Sequence, residues 1–192
     1  MSYFAEGREV EPSRITPELV LIEKSDSLEG YIFRAATLLW SVPVSRGYGR
    51  RMRYLVIDKQ NEKLVGIFAL GDPVFNLKCR DNWIGWNVNQ RRQNLVCVLD
   101  AYVLGSIPPY SFILGGKLIG SLLAVEEIRR AFRDRYSCGK GIISQAVKDA
   151  HLVLVTTTSA LGRSSIYNRL RLPNIITFNK ITPNQRYYIS SP

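Results

Sequence analysis

LVLVTTTSALGRSSIYNRL, residues 152–170, is the stretch whose reading decides the fold. Its first half is a short apolar, β-branched run, the pattern of a buried strand. Its second half turns basic and hydroxyl-rich, the pattern of a helix start that serine can cap. The same transition occurs earlier in the chain. LVCVLDAYVLG (95–105) reads as a strand, Pro108 and Pro109 force an extended break, and Gly115 and Gly116 then open a helix. Two strand-to-helix transitions in one small chain point to an α/β domain, in which helix starts are where phosphates are held.

Working outward, Leu28, Tyr31, Ile32, Ala35, Leu38 and Leu39 recur at helical spacing behind the capping candidates Ser25 and Asp26, and Pro43 ends that helix. SRGYGRR (45–51) is a basic glycine loop. RYLVID (53–58) and LVGIFAL (64–70) flank a polar turn and read as a β-hairpin. In 74–94, Asn87 or Asn89 caps a short helix through Arg91 and Arg92. One helix is expected from Gly115, with an apolar face reaching Phe132 and a basic end at Arg129, Arg130, Arg133 and Arg135. NIITFNKI (174–181) and QRYYIS (185–190) close the chain as a hairpin. The order is helix, hairpin, strand, helix, strand, helix, hairpin, with parallel crossovers only in the middle. We expect an acidic arm over residues 1–25, with one short strand at 19–23, and a single domain over 26–192.

The 192 residues carry a net charge of +10, unevenly placed. Residues 1–29 hold seven acids against three bases, a net of −4, so the remainder stands at +14. A body that basic attracts polyanions. Cys79, Cys97 and Cys138 are odd in number and widely spaced, and His151 is the only histidine. That argues against a zinc site, a disulfide framework and a histidine-centred triad. No apolar run is long enough to span a membrane and the start lacks a secretory pattern, so no membrane partner and a cytoplasmic location are the expectation.

Four constellations carry chemistry. Gly115, Gly116 and Lys117 form an elbow suited to an anion, because a helix N-terminus presents unpaired N–H groups and a partial positive charge. The competing explanation is a tight turn. Ser159, Arg163 and Ser164 begin the other helix and suit a phosphate, with plain capping as the alternative. Tyr167 on that helix and Asp100 inside a strand are the catalytic candidates, the tyrosine as a general acid. Asp72, Asp81 and Asp100 are the scattered acids of the basic body, of the kind a Mg²⁺ nuclease would use, with an Asp–Arg ion pair that orders RDNWIGW as the favoured alternative. Finally, Arg80, Trp83, Trp86, Arg91 and Arg92 interleave flat rings with guanidinium groups, and Arg50, Arg51 and Arg53 extend the track. That composition suits nucleic acid, through stacking and phosphate contacts.

Several long segments resemble one known family: GYGRRMRYLVID, LVGIFALGDPVFNLKCRDNWIGW, LDAYVLGSIPPY, ILGGKL and TTTSALGRSSIYNRL, spread over residues 39–182. They look like the DruA family of Druantia bacterial anti-phage systems. That resemblance implies a defence component with other system subunits as partners. The element order is also similar to the GNAT acyltransferases, which implies a mixed, twisted sheet flanked by helices. In that likeness Gly115 takes the first glycine of the pyrophosphate loop and Tyr167 the position of the acid that protonates the thiolate. Phe112, Lys117 and Arg171 depart from the GNAT patterns.

Three functions follow as expectations. The first is a defence-system component whose basic cleft, at the two helix N-termini, binds DNA, RNA or a nucleotide-like anion. The second is an acyl or group transferase using acetyl-CoA or a related cofactor. The third is a non-catalytic subunit that docks an acidic partner.

Overall fold

The structure is a computed structural model and describes residues 3–41, 43–113, 115–137, 150–159, 170–172, 176–180 and 186–190. In chain order its elements are β1 (Pro17–Leu21), α1 (Leu28–Thr37), β2 (Arg51–Asp58), β3 (Lys63–Gly71), α2 (Lys78–Ile84), α3 (Val88–Asn94), β4 (Val98–Ser106), α4 (Gly115–Leu122), α5 (Glu126–Tyr136), β5 (Leu154–Thr158), β6 (Arg171–Leu172), β7 (Ile176–Lys180) and β8 (Arg186–Ser190). They fall into two compact units. One comprises Met1–Gly71 and Ala101–Gly120, the other Asp72–Asp100 and Ser121–Pro192.

In the first unit β1, β2, β3 and β4 lie in that order. β1 pairs antiparallel with β2, and β2 with β3, with a register shift at Val56/Ile57. Ile107 N–H donates to the Val65 carbonyl, while Tyr102 lies against Gly71, so β4 runs antiparallel to β3. Cross-strand partners Tyr54 and Phe68 stack with ring centroids 4.7 Å apart. α1 begins at Ser27, whose Oγ accepts from the Gly30 N–H. Its Ile32, Phe33 and Ala36 enter a core with Ile22, Leu55, Leu64, Ile67, Ala69, Val103 and Ile107. Each large aliphatic or aromatic side chain buried there contributes roughly 1.5–3 kcal/mol. The acidic N-terminal segment is joined to this unit. Tyr3 and Phe4 pack on the same core, and the Leu64 N–H donates to the Tyr3 carbonyl.

In the second unit the strand order is β4-β5-β8-β7-β6. Val153 N–H donates to the Cys97 carbonyl and Thr156 Oγ1 to Asp100. These pairs keep one offset along both strands, so β4 and β5 run parallel. β5, β8, β7 and β6 then pair antiparallel in turn. The α/β fold with a mixed sheet flanked by helices is therefore as expected, and β7 and β8 are the closing hairpin.

The long helix expected from Gly115 is two helices. α4 stops at Leu122, and Val125 takes an extended ψ of 150° ahead of α5. The apolar periodicity runs through the break because Leu123, Ile128 and Phe132 are all buried. Glu126 and Glu127 occupy the first turn of α5, and Arg133 and Arg135 its last, the order that the helix dipole favours. The helix expected over 160–170 lies mostly outside the described residues.

Candidate nucleic-acid interface

RDNWIGWNVNQRR folds locally into two short helices around a glycine corner. Gly85 ends α2 with a φ of 82°, the left-handed conformation glycine adopts at least cost, and its N–H and that of Trp86 both bond to the Asp81 carbonyl. Asn87 then caps α3, its side chain accepting from the N–H of Asn89 and of Gln90. The Gln90 side chain accepts in return from the Asn87 N–H, completing a capping box.

Beneath the corner lies an ion-paired frame. Arg80 is fully buried and donates from Nε and Nη2 to Asp81 Oδ1, at 2.9 and 2.6 Å. Nη1 also donates to the Val74 carbonyl and Nη2 to the Phe75 carbonyl. Arg91 donates from α3 to the other carboxylate oxygen at 3.1 Å, and its guanidinium sits 4.8 Å from the Phe75 ring centroid. One carboxylate thus ties α2, α3 and the 74–75 segment together. The Asp–Arg pair expected to order RDNWIGW is present. The expectation that Arg80 contacts nucleic acid is corrected. With no exposed surface and its donors turned inward, it cannot reach a phosphate.

Outside the frame, Trp83 and Phe75 each keep 48% of their surface exposed, and Val74 and Val88 are exposed in the same segment. Arg92 is exposed on α3, Arg91 is partly so, and Trp86 is half-buried with the Arg80 guanidinium 6.0 Å from its ring. Phe75 is an aromatic member that sequence reasoning missed; its signal was the Arg-rich segment immediately downstream. Arg50, Arg51 and Arg53 belong to the first unit. Arg53 is half-buried, donates to Ser25 Oγ at 2.7 Å and lies 5.9 Å from the Phe33 ring. Arg51 is exposed and donates to the Gly47 carbonyl, and Arg50 is half-buried.

The other candidates are placed as follows. Gly115 is buried, and a Cβ on it would lie 2.5 Å from the Tyr110 carbonyl oxygen, so close packing demands glycine there. Gly116 and Lys117 are half-buried in the first turn of α4. Asp100 is half-buried and accepts from Thr156 Oγ1 at 2.6 Å across the parallel pair. Ser159 follows β5 and is half-buried. Arg163, Ser164 and Tyr167 lie outside the described residues. A pocket lined by Leu123, Ala124, Arg129 and residues 152–155 has a volume near 10 Å³, room for about one water. Among the described residues no group of three or more His, Cys, Asp or Glu side chains could hold a metal ion, and no helix is long and apolar enough to cross a membrane.

Sequence reasoning also missed a buried polar network in the first unit. Asp58, fully buried, accepts from the N–H groups of Thr16 and Gln60 and from Tyr110 Oη at 3.0 Å. Asn61 Nδ2 donates to Tyr110 Oη and to the Glu9 carbonyl, both at 2.9 Å. Burial pushes the Tyr110 phenol up to about 12, the Asn61 bond opposes that shift, and Asp58 reinforces it. A phenol held protonated and fully buried fastens the chain and has no access to a substrate.

The family model for "Druantia protein DruA" matches residues 1–190 of this chain. A curated relative named "Druantia protein DruA", from Escherichia coli (strain UMEA 4076-1), is 53% identical over 175 residues. The match covers 91% of this chain and 43% of that relative, so the chain spans under half of its length. No solved structure matches the chain.

Proposed function

The chain belongs to the DruA family, and on that premise we propose that it is the nucleic-acid-binding part of a bacterial anti-phage defence component. The observation that carries this reading is the half-exposed ring of Phe75 with the Arg91 guanidinium 4.8 Å from it, on a segment tied by the buried Arg80–Asp81 frame that also bears the half-exposed Trp83 and the exposed Arg92. Flat rings give a base a stacking surface whatever its identity, and guanidinium groups pair with phosphates. The net charge of +10 draws a polyanion to the chain before any specific contact forms. Single-stranded nucleic acid fits better than duplex, because an exposed ring needs an unstacked base. GNAT-like is part of the same proposal for the fold, and its support is the element order. No observation among the described residues favours acyl transfer from coenzyme A, since packing alone accounts for the glycine at position 115.

Binding of labelled single-stranded DNA and RNA, followed by fluorescence anisotropy over a salt series, tests the reading. Affinity is expected to fall steeply with salt, with a log–log slope of about −0.7 per phosphate contact. Trp83→Ala is expected to weaken binding by about 1–3 kcal/mol, at least several-fold. Absence of saturable binding at low salt would sink the proposal.

A further inference from the structure

The backbone of the loop SRGYGRR (45–51) packs against the Tyr102 ring, while Ser45, Arg46, Tyr48 and Arg51 are exposed. Gly47 and Gly49 both have positive φ, 68° and 54°, which glycine adopts most readily. The Tyr102 ring lies in a slot between two glycines. A Cβ on Gly47 would sit 2.5 Å from Tyr102 Cε1, and one on Gly71 would sit 3.1 Å from the same atom. The Gly71 position also lies 3.3 Å from the Tyr48 carbonyl oxygen, so the loop closes over the end of β3. Within the loop, Gly47 N–H donates to Ser45 Oγ at 3.1 Å and Arg51 Nη2 to the Gly47 carbonyl at 3.3 Å. Burial pushes the Tyr102 hydroxyl's pKa up, and the charges of Arg53 and Arg51 oppose that shift. Among the exposed side chains, Tyr48, 69% exposed, carries the ring and Arg46 a guanidinium group.

We propose that this loop is a preformed contact for single-stranded nucleic acid, with Tyr48 stacking on a base and Arg46 pairing with a neighbouring phosphate. Tyr102 is its positioning residue. The inference rests on the nucleic-acid reading above and adds a contact in the first unit that is independent of Trp83 and Phe75. A ring on a flexible loop would have to be ordered upon binding. Here the close packing of Gly47 on the half-buried Tyr102 ring and the hydrogen bonds within the loop restrain the backbone beforehand, which removes part of that entropic cost.

The test uses the full chain and labelled single-stranded DNA and RNA oligonucleotides of about twenty nucleotides, long enough to exceed a single site. Tyr48→Ala is expected to weaken binding roughly tenfold with the salt slope unchanged, and Tyr48→Phe to retain affinity. Arg46→Gln is expected to lower the magnitude of the salt slope by about 0.7. Tyr102→Phe keeps the ring in its slot and should bind normally. Tyr102→Ala releases the loop, so adding Tyr48→Ala to it should cost little more, a coupling that simple destabilisation would not produce. Thermal melts of the Tyr48 and Arg46 variants should match the parent, because both side chains are exposed. If the parent binds and Tyr48→Ala binds equally well, the loop contact is overturned while the reading of the second unit stands. If the parent binds neither DNA nor RNA, both fail.

Discussion

Asp58 in the first unit and Asp81 in the second are both buried, with 0% and 5% of their surface exposed, and they are neutralised by different means. Asp58 accepts from neutral donors: two backbone N–H groups and the Tyr110 hydroxyl point at it. Asp81 takes two arginines. The neutral network joins the 9–16 segment, the β2–β3 turn and Tyr110, and it closes that end of the first unit. The ionic network sets two guanidinium groups against one carboxylate, and one of them, that of Arg91, lies 4.8 Å from the half-exposed Phe75 ring. A carboxylate that only fastens chain segments manages with dipoles. One placed among guanidinium groups also determines which of them remain available to a ligand.

The contrast can be broken experimentally, most forcefully at Asp81. Asp81→Ala strands a guanidinium that has no exposure, and removal of one partner of a buried pair costs about 3–5 kcal/mol. Urea unfolding measures it, and a loss below about 1 kcal/mol would show that the frame is not ionic in effect. Gly115→Ala comes next. Its Cβ meets the Tyr110 backbone rather than a yielding side chain, and overpacking of that kind costs typically 1–3 kcal/mol. A variant as stable as the parent would return Gly115 to the ligand-site candidates.

Tyr110→Phe removes the hydroxyl and leaves Asp58 one donor short, at about 1–2 kcal/mol near neutral pH. The same residue sharpens the comparison through pH. Its folded value, about 12, lies above the ordinary value of 10, so folding favours the protonated phenol. The stability this contributes is complete below pH 10 and is lost as pH rises through 12. Over that window the parent is expected to lose stability relative to Tyr110→Phe in paired thermal melts. Parallel curves would refute the coupling. The smallest stability effect belongs to Trp83→Ala, within about 0.5 kcal/mol, because the ring is half outside the fold. A large loss there would make Trp83 a packing residue and move it out of the interface.

Much of the fold was legible because it follows from local pattern. The alternation and turn residues of 53–70 placed the β2–β3 hairpin to within two residues at each end. Asn87, one of the two asparagines offered as caps, does cap α3. The break between α4 and α5 was not legible, since Val125 is an apolar residue in an apolar period and nothing in its chemistry marks a helix end. For the candidate interface, the residue types were readable and their roles were not. Arg80, Arg91 and Arg92 look alike in sequence, yet one is fully buried, one bridges to a carboxylate and one faces outward. Burial depends on which elements cover a side chain, and that is a long-range property.

By itself the sequence determined the class of the protein: an α/β chain with a strongly basic body, periodic strands and helices, and long segments of one family. Those features are set by composition and by neighbours along the chain, and so they depend on no tertiary contact. Only the tertiary structure decided which polar groups hold the protein together. Asp58 meets Tyr110 across 52 positions and Thr156 meets Asp100 across 56, distances over which no local pattern carries information. The same packing that buried Arg80 left Trp83 and Tyr48 exposed, because a buried charge must be paired whereas an aromatic ring tolerates the surface.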